Sequence, residues 1–355
     1  MQWNDITTLH VEITTMCNAV CPGCARYPTA SYFSHPRLNK LQSWTTETVR
    51  QKLPVEDISH IKTFFVNGTV GDFIANKDAL EIIEYIRSAG VPNISINTNG
   101  GARDQAFWEA LGKLKVTVNF ALDGLEDTHS LYRREINFAT VIDNAKSFIQ
   151  AGGKAVWIMT VFEHNKHQID KCKQLSVELG FKEFIARQND RGIINVFDRA
   201  NRLAYTLTPP VDSDTSHRNR NTPIYNKGLE TRLKLNTVIP IVPESIPQGN
   251  VVCHSKLDRS VYITGDWSVV PCCFIGNAFI MDYLYEYKDL EQKVPGIDNA
   301  RVGLNQLTVK QSWKAMNDWS SVYETINNET GCSICKIKCT ETGDWIIGKT
   351  TAKKM

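Results

Sequence analysis

The stretch EITTMCNAVCPGC, residues 12–24, places three cysteines within eight positions in the spacing C-x3-C-x2-C. It continues the apolar run of residues 9–14, whose weak alternation predicts a first strand. Three thiolates on one short loop can hold three irons of a four-iron, four-sulfur cluster, although such clusters usually have four cysteine ligands. The fourth iron would remain open to a small molecule that presents an amine and a carboxylate. The loop therefore predicts an open-iron cluster bound by Cys17, Cys21 and Cys24.

Two other uses of closely spaced cysteines compete with this interpretation. Structural zinc requires a fourth ligand, and His35, eleven residues after Cys24, is the only nearby candidate. A disulfide framework is typical of short secreted chains, whereas this chain has 355 residues and no secretory signal at its start. Zinc therefore stays open as the alternative for this loop.

Predicted strands and helices alternate from residue 9 to residue 186. Strand-like runs occupy residues 9–14, 61–66, 94–98, 116–122, 155–162 and 184–186. Helical spacing, with an N-cap at Thr45 or Thr46, predicts helices at residues 46–53, 78–89, 105–113, 138–151 and 168–179. Such alternation implies right-handed crossovers and a parallel sheet. Six units are too few for a closed eightfold barrel, so we predict an α/β fold, a (β/α)6 partial TIM barrel with sites at the carboxyl ends of its strands.

The overall composition excludes several classes of partner. The chain has 42% hydrophobic and 22% charged residues and a formal net charge of +2, which is ordinary for a soluble protein. This balance predicts neither a nucleic acid nor an anionic membrane as partner. No apolar run is long enough to span a bilayer. Ten cysteines without an export signal favour metal ligation in a reducing compartment, so we expect a cytoplasmic protein.

The composition of the sequence changes after residue 190. Residues 191–250 predict a connector, because proline and polar residues dominate from position 206 onward. The predicted domains are therefore a barrel at residues 1–190 and a C-terminal domain at residues 251–355. The second domain has a predicted hairpin at residues 261–270 and a predicted helix at residues 308–326.

The C-terminal domain contains a second group of cysteines. Its members are Cys253, Cys272, Cys273, Cys332, Cys335 and Cys339. The hairpin can bring Cys253 and Cys272 together, and the C-x2-C pair of Cys332 and Cys335 can complete a four-thiolate site. Cys273 and Cys339 are surplus, since adjacent cysteines point apart in an extended chain, and Cys339 could replace Cys335. Cys172 stands alone on a predicted helix among apolar residues, where a core position is expected.

The order of the N-terminal motifs resembles the radical S-adenosylmethionine (SAM) superfamily over residues 9–186. In that family a three-cysteine loop of this spacing binds a cluster whose open iron takes the methionyl group of SAM. A glycine-rich segment after the second strand binds the SAM amino group, and here it is NGTVGD, residues 67–72. The resemblance implies that Gly68, Gly71 and Asp72 contact SAM. Phe73 stands where the family usually has proline, so this match is partial.

Two later strand ends are similar to their radical SAM equivalents. Thr98 and Asn99 follow the third predicted strand, and Asp123 follows the fourth, where the family places groups for the ribose hydroxyls. Arg133, in the segment HSLYRR, matches the position of a guanidinium that binds the SAM carboxylate. The alternative for Arg133 is a basic pair with Arg134 on the surface.

The C-terminal cysteines resemble the twitch extension of radical SAM enzymes, a shortened SPASM domain. This resemblance implies a small β-hairpin plus helix domain with one auxiliary 4Fe-4S cluster. Structural zinc is the alternative, since C-x2-C also suits zinc. The implied ligands of the auxiliary site are Cys253, Cys272, Cys332 and Cys335.

The resemblance implies a radical SAM oxidoreductase that forms a 5′-deoxyadenosyl radical from SAM and abstracts hydrogen. An electron donor such as flavodoxin or ferredoxin would serve the first cluster, and the closed auxiliary cluster would favour net oxidation. The barrel starts near residue 9, which favours a small-molecule substrate, or a peptide presented by a separate carrier. The catalytic acid or base and the substrate are not predicted. The alternative class is a non-enzymatic zinc or Fe–S binding protein.

Overall fold

This computed structural model of the chain describes residues 1–27, 32–35, 38, 41–189, 192–210, 253–276 and 307–315, together with Cys335 and Cys339. The strands of these ranges are β1 Thr8–Val11, β2 Thr63–Val66, β3 Asn93–Thr98, β4 Thr117–Ala121, β5 Lys154–Val161, β6 Glu183–Gln188, β7 Ile194–Phe197, β8 Leu203–Leu207, β9 Ser260–Ile263 and β10 Val269–Val270. The α-helices are α1 Thr46–Lys52, α2 Val55–Ile58, α3 Ala79–Ser88, α4 Gln105–Lys113, α5 Glu126–Tyr132, α6 Phe138–Gln150, α7 Ile169–Glu178, α8 His254–Leu257 and α9 Val309–Ala315. No helix of the described ranges is long and apolar enough to cross a membrane.

One sheet organises the molecule, in the strand order β10-β9-β1-β2-β3-β4-β5-β6. Neighbours from β9 through β6 pair in parallel, and β10 pairs with β9 in the antiparallel sense. The predicted succession of six parallel strands, a partial barrel of the TIM type, is confirmed. The predicted C-terminal hairpin also forms, but β9 lies directly beside β1, so the hairpin extends the barrel sheet.

Strand alternation gives the sheet an apolar face and a polar face. In β1, Leu9 and Val11 are completely buried in the core, whereas Thr8 and His10 are only half-buried. The same alternation buries Phe64 and Ile96 on β2 and β3 and leaves Phe65 and the polar residues Ser95 and Asn97 half-buried on the opposite face. Because the helices contribute the rest of that apolar core, the polar face is the inner surface of the partial barrel.

The helix starts follow local capping chemistry. Thr45 caps α1, because its side chain accepts a hydrogen bond from the backbone N–H of Thr48. Asp104 and Asn137 cap α4 and α6 in the same way. The choice between Thr45 and Thr46 is thereby resolved in favour of Thr45.

Three features differ from the sequence prediction or extend beyond it. Helix α5 and the antiparallel hairpin of β7 and β8 were not predicted, although the hairpin lies at the start of the predicted connector. Of the helix predicted at residues 308–326, the structure describes Val309–Ala315, and the remainder lies outside the described residues. Residues 211–250 of the connector also lie outside them.

Helix α9 packs against the start of the chain. Lys310 Nζ lies 2.8 Å from Asp57 Oδ1, and Thr308 Oγ1 donates to Asp57 Oδ2 at 3.1 Å. The indole N–H of Trp313 donates to the carbonyl of Met1 at 3.2 Å. These bonds join residues 308–313 to α2 and to Met1.

Candidate active site

The three-cysteine loop follows β1 at the carboxyl edge of the sheet. Cys21 is buried, Cys17 and Cys24 are half-buried, and all three thiols are free. N–H groups approach two of the sulfurs: Ala19 N lies 3.4 Å and Asn99 Nδ2 lies 3.8 Å from Cys17 Sγ, and Arg133 Nη1 lies 3.7 Å from Cys21 Sγ. Donors directed at sulfur stabilise thiolates, so the surroundings suit anionic sulfur ligands.

The electrostatics of the loop call for a cation. Burial, followed by the charge of Asp72, raises the pKa of the Cys17 thiol well above its usual value. Burial raises the pKa of Cys21 to about 11, although the neighbouring Arg133 acts in the opposite direction. The charge of Cys21 also raises the pKa of Cys17, and the charge of Cys24 raises the pKa of Cys21, because adjacent thiolates repel. Bound iron would offset that repulsion, so the donor set fits the three-cysteine side of a cluster.

Asp72 forms the first connection between a strand end and the loop. Its Oδ1 accepts from Thr98 Oγ1 at 2.6 Å, and its Oδ2 accepts from the backbone and side-chain N–H groups of Asn99, both at 2.8 Å. The Asn99 amide also donates to Asn18 Oδ1 at 2.9 Å and approaches Cys17. Burial raises the pKa of Asp72, while these hydrogen bonds lower it. A buried carboxylate is thus placed beside the cysteine loop.

The glycine segment of residues 67–72 folds against Glu12 rather than standing free. The backbone N–H groups of Val70 and Gly71 donate to Glu12 Oε1 at 2.8 and 3.0 Å. A Cβ on Gly71 would lie 1.8 Å from the carbonyl oxygen of Thr14, and one on Gly68 would lie 2.4 Å from that of Gly71. Only glycine permits this approach of the second strand end to the first.

Asp123 and Arg133 form the second connection to the loop. Arg133 Nε donates to Asp123 Oδ2 at 2.6 Å, and the Asp123 side chain is completely buried. Although burial lowers it, the charge of Asp123 raises the pKa of Arg133 well above its usual value. His129 accepts a hydrogen bond at Nδ1 from Asp123 N, and burial lowers its pKa to about 4, so its imidazole is neutral. Arg134 donates instead to the carbonyls of Val20 and Phe197.

The structure therefore brings the residues predicted for SAM binding to one edge of the sheet. Gly68 and Gly71 contact Glu12 and the strand leading into the loop, while Asp72 with Thr98 and Asn99 reaches Cys17, and Asp123 with Arg133 reaches Cys21. Their individual roles toward SAM stay predictions. The sequence analysis missed Glu12, which no motif marks, because its partners lie 58 and 59 positions away in the chain.

A second set of thiols lines a cavity of about 300 Å³ on the inner face of the barrel. Its walls include Cys253, Cys272, Cys273, Cys335 and Cys339, and they also include Tyr262 from β9. Cys332, which was predicted as a ligand, lies outside the described residues. Cys273 and Cys339, which the predicted ligand set left out, reach the same cavity. Within the described ranges, including the three-cysteine loop, no three or more His, Cys, Asp or Glu side chains are grouped closely enough to hold a single metal ion. The cysteine ligands of a four-iron cluster each bind a separate iron.

Tyr262 joins the two regions. Its hydroxyl lies 2.8 Å from Thr69 Oγ1 in the glycine segment and 3.4 Å from Glu12 Oε2. Its ring contacts His10 edge to face at a centroid distance of 4.7 Å. No sequence motif predicted this link, because it depends on the pairing of β9 with β1.

Comparison with known proteins agrees with this geometry. Residues 11–175 match the family model described as the Radical SAM superfamily. Streptococcus suis SuiB bound to the precursor peptide SuiA is 14% identical with a TM-score of 0.51, and the alignment covers 94% of this chain and 72% of SuiB. SuiB bound to S-adenosylmethionine is 14% identical with a TM-score of 0.47, over 76% of this chain and 59% of that one.

A further solved structure, anSMEcpe with bound AdoMet and the Cp18Cys peptide, is 15% identical with a TM-score of 0.48, over 98% of this chain and 95% of that one. The chain spans less than two thirds of the SAM-bound SuiB. None of the curated proteins matches the sequence significantly. The family match covers the three-cysteine loop and the strand ends that surround it, so residues 11–175 of this chain are similar to the radical SAM superfamily.

Proposed function

We propose that the chain is a radical SAM enzyme that cleaves SAM reductively and abstracts hydrogen from a bound substrate. One observation carries the proposal. Two buried strand-end carboxylates, Asp72 and Asp123, are each joined by one donor side chain to a different thiol of the C-x3-C-x2-C loop. Such an arrangement would surround an open iron with carboxylates, which can bind the ammonium of a methionyl group, and with a guanidinium, which can bind its carboxylate.

Each residue of the site has a proposed part. Cys17, Cys21 and Cys24 hold a four-iron cluster, which when loaded supplies the electron that converts SAM to a 5′-deoxyadenosyl radical. Arg133 orients the SAM carboxylate, and the segment of Gly68, Gly71 and Asp72 accepts the ammonium. Thr98, Asn99 and Asp123 accept or donate at the ribose hydroxyls. The close packing of the glycine segment on Glu12 helps to exclude water.

The thiol cavity supports a second metal centre and an oxidative outcome. We assign Cys253, Cys272, Cys332 and Cys335 to one auxiliary 4Fe-4S cluster, with Cys273 and Cys339 as alternative ligands. A fully ligated cluster would accept an electron from a substrate radical, which gives net oxidation, such as dehydrogenation of an alcohol or a peptide cross-link. Burial, then the charge of Cys273, raises the pKa of Cys272 well above its usual value, so a bound cation would favour its thiolate form. Zinc is the alternative occupant.

The substrate is a peptide or a small molecule. SuiB, which shares the fold, is described as bound to a precursor peptide, and a peptide-modifying maturase acting with a separate carrier is therefore a candidate function. A flavodoxin or ferredoxin in the cytoplasm would supply the electron. A non-enzymatic zinc or Fe–S binding protein is the competing class.

The decisive experiment measures metal content and SAM cleavage together. Anaerobically reconstituted protein should contain about eight irons per chain if both sites hold four-iron clusters, and it should form 5′-deoxyadenosine from SAM under reduction. Replacement of Cys253 and Cys272 by Ala should remove about four irons and spare 5′-deoxyadenosine formation. Zinc content with no SAM cleavage would contradict the proposal. Cys172→Ala is the matched control, since Cys172 is a buried helix residue distant from both loops in sequence.

A further inference from the structure

The inner face of the barrel carries a ladder of amide side chains between the two thiol regions. Asn119 Nδ2 donates to Asn97 Oδ1 at 2.6 Å, and Asn97 Nδ2 donates to Asn67 Oδ1 at 2.9 Å. All three side chains are half-buried on the polar face of β2, β3 and β4. We name Asn67, Asn97 and Asn119 the amide ladder.

The ladder borders both regions. Asn97 lies in β3, two residues before Asn99, and the Asn99 side-chain amide lies 3.8 Å from Cys17 Sγ. Asn67 and Asn97 also line the cavity that the C-terminal thiols share. A substrate that reacts beside the three-cysteine loop and also enters the cavity of the C-terminal thiols would therefore lie against the ladder.

The ladder leaves hydrogen-bonding capacity for a ligand. Each primary amide has two N–H donors and a carbonyl with two lone pairs, and the ladder uses one N–H and one lone pair of Asn97. Asn67 Nδ2 also lies 3.3 Å from His10 Nε2, and Asn119 Nδ2 donates to Ser95 Oγ at 3.4 Å. These contacts fix the orientation of the ladder, so the second N–H and the second lone pair of Asn97 are preorganised. Such paired groups match the N–H and C=O of a peptide group.

Arg187 adds a single positive charge to the same cavity. Arg187 of β6 pairs with Thr160 of β5, whose backbone N–H donates to Asp123. Arg187 therefore lies near the carboxyl end of the sheet, where the three-cysteine loop also lies. Its side chain is exposed and lines the cavity, and no described residue gives it a hydrogen bond or ion pair. A guanidinium in this setting binds a carboxylate bidentately.

The charges of the wall distinguish a carboxylate from a phosphate. Among the described lining residues, the Asp, Glu, Lys and Arg side chains are Arg187 and Asp258, and Asp258 lies just before β9. Phosphate sites gather several cations, whereas the described residues of this wall include one Lys or Arg. His10 contributes no charge near neutrality, since burial lowers its pKa to about 4.

We propose that the amide ladder and Arg187 form the substrate-anchoring surface of the barrel, and that they bind a peptide segment with an acidic side chain. The inference rests on the proposed function, because it names the substrate class of that site. The ladder contacts the peptide groups, and Arg187 binds the carboxylate. The segment then lies between the three-cysteine loop and the C-terminal thiols.

Equilibrium binding of capped tripeptides tests the inference. The panel has a central Asp or Glu, the matched Asn or Gln isostere, or phosphoserine, and binding to anaerobic holoprotein is followed by calorimetry. Acidic members should bind at least about tenfold more tightly than their isosteres. Arg187→Ala should remove this preference, Arg187→Lys should keep part of it, and Arg202→Ala, an exposed arginine paired with Asp198, should leave it unchanged.

The remaining outcomes separate the two parts of the proposal. Asn97→Leu should weaken acidic and neutral tripeptides alike, while the acidic preference persists. A preference that survives Arg187→Ala, a stronger preference for phosphoserine, or no saturable binding up to about 10 mM would overturn the inference. N-acetylglutamate binding as tightly as the tripeptides would also overturn it, since the ladder would then add nothing.

Formation of 5′-deoxyadenosine by the same samples keeps the proposed function separate. Arg202→Ala, which lies outside the proposed anchoring surface, should cleave SAM at the wild-type rate in the absence of substrate. If wild-type protein cleaves SAM and shows no acidic preference, the substrate inference alone fails. If the preference is present and SAM is not cleaved, the proposed function fails.

Discussion

The two thiol regions of this molecule are built in opposite ways. The three-cysteine loop takes its ligands from eight consecutive positions and surrounds them with buried groups from four parallel strand ends. The C-terminal cavity takes its thiols from Cys253, Cys272 and Cys335, which lie up to 82 positions apart, and it depends on the pairing of β9 with β1. The first region is thus specified locally, and the second is specified by the sheet.

This difference predicts different consequences of damage. Substitutions that remove the thiols of the three-cysteine loop should leave the hairpin of β9 and β10 in place. The cavity, in contrast, should change shape if either this hairpin or the adjoining edge of the barrel moves. Tyr262, which bonds to Thr69 and approaches Glu12, is the described side-chain link between them. Four predictions test how independent the two regions are.

The largest effect is expected from replacement of Cys17, Cys21 and Cys24 together by Ala. SAM cleavage should be abolished, because no thiolate would remain to hold the first cluster. The C-terminal site should still load iron, which iron and sulfide analysis with electron paramagnetic resonance would detect. Cleavage by the triple variant would refute the assignment. Loss of iron from both sites would show that the regions are not independent.

The next largest effect concerns the buried pair of Arg133 and Asp123. Arg133→Ala leaves an unpaired carboxylate whose side chain is completely buried, so the free energy of unfolding should fall by about 3 kcal/mol. Affinity for SAM should fall by about 1.5–3 kcal/mol through the lost charge-assisted hydrogen bond. Asp72→Ala should weaken SAM binding by a similar amount. Denaturant unfolding and equilibrium dialysis measure the two quantities.

A double variant separates these two effects. Arg133→Gln with Asp123→Asn removes both charges of the pair, so most of the stability should return while SAM affinity stays low. Recovery of affinity as well would mean that Arg133 acts only through folding.

Acidification should destabilise both regions through neutral histidines. Burial lowers the pKa of His129 in the first region and of His10 in the second to about 4. Their stabilisation is therefore complete above the unfolded pKa of about 6.5 and is lost as pH falls from there through about 4, by up to about 3 kcal/mol for each. Glu12 and Asp72 have the opposite effect on the pH dependence of stability. Burial raises their pKa values, so acidification removes the cost of their buried negative charges.

Comparison of variants isolates the histidine contribution. His129→Asn keeps an acceptor for the Asp123 N–H. Denaturant unfolding of this variant should show a smaller loss of stability between about pH 6.5 and 4.5 than the native chain shows, because the imidazole that would take up a proton in this range is absent. An unaltered profile in His129→Asn would exclude His129 as a source.

The smallest effect is expected where α9 meets α2. The side chains of Lys310 and Asp57 are 31% and 11% exposed, so their ion pair should contribute about 0.5–1 kcal/mol. Asp57→Ala should lower the unfolding free energy by this amount, and Asp143→Ala, at an exposed pair with Lys146, should change it by close to zero. A larger effect on iron content than on stability would show that this contact holds the C-terminal thiols in place.

The site was predictable wherever its residues lie at strand ends. Asp72, Asn99 and Asp123 each follow a predicted strand, and parallel strands bring their carboxyl ends to one edge. The amide ladder was not predicted, because single asparagines at alternate strand positions look like ordinary polar residues until the register places Asn67, Asn97 and Asn119 side by side.

The sequence by itself determined the alternation of strands and helices, the parallel sheet and the three-cysteine loop. These features depend on local periodicity, on capping at residues such as Thr45, and on the spacing of Cys17, Cys21 and Cys24. Only the tertiary structure decided that β9 lies beside β1, that Glu12 organises the glycine segment, and that Arg187 faces the thiol cavity. The physical reason is that these contacts join positions far apart in the chain, whose approach is set by the register of the sheet and the packing of the core.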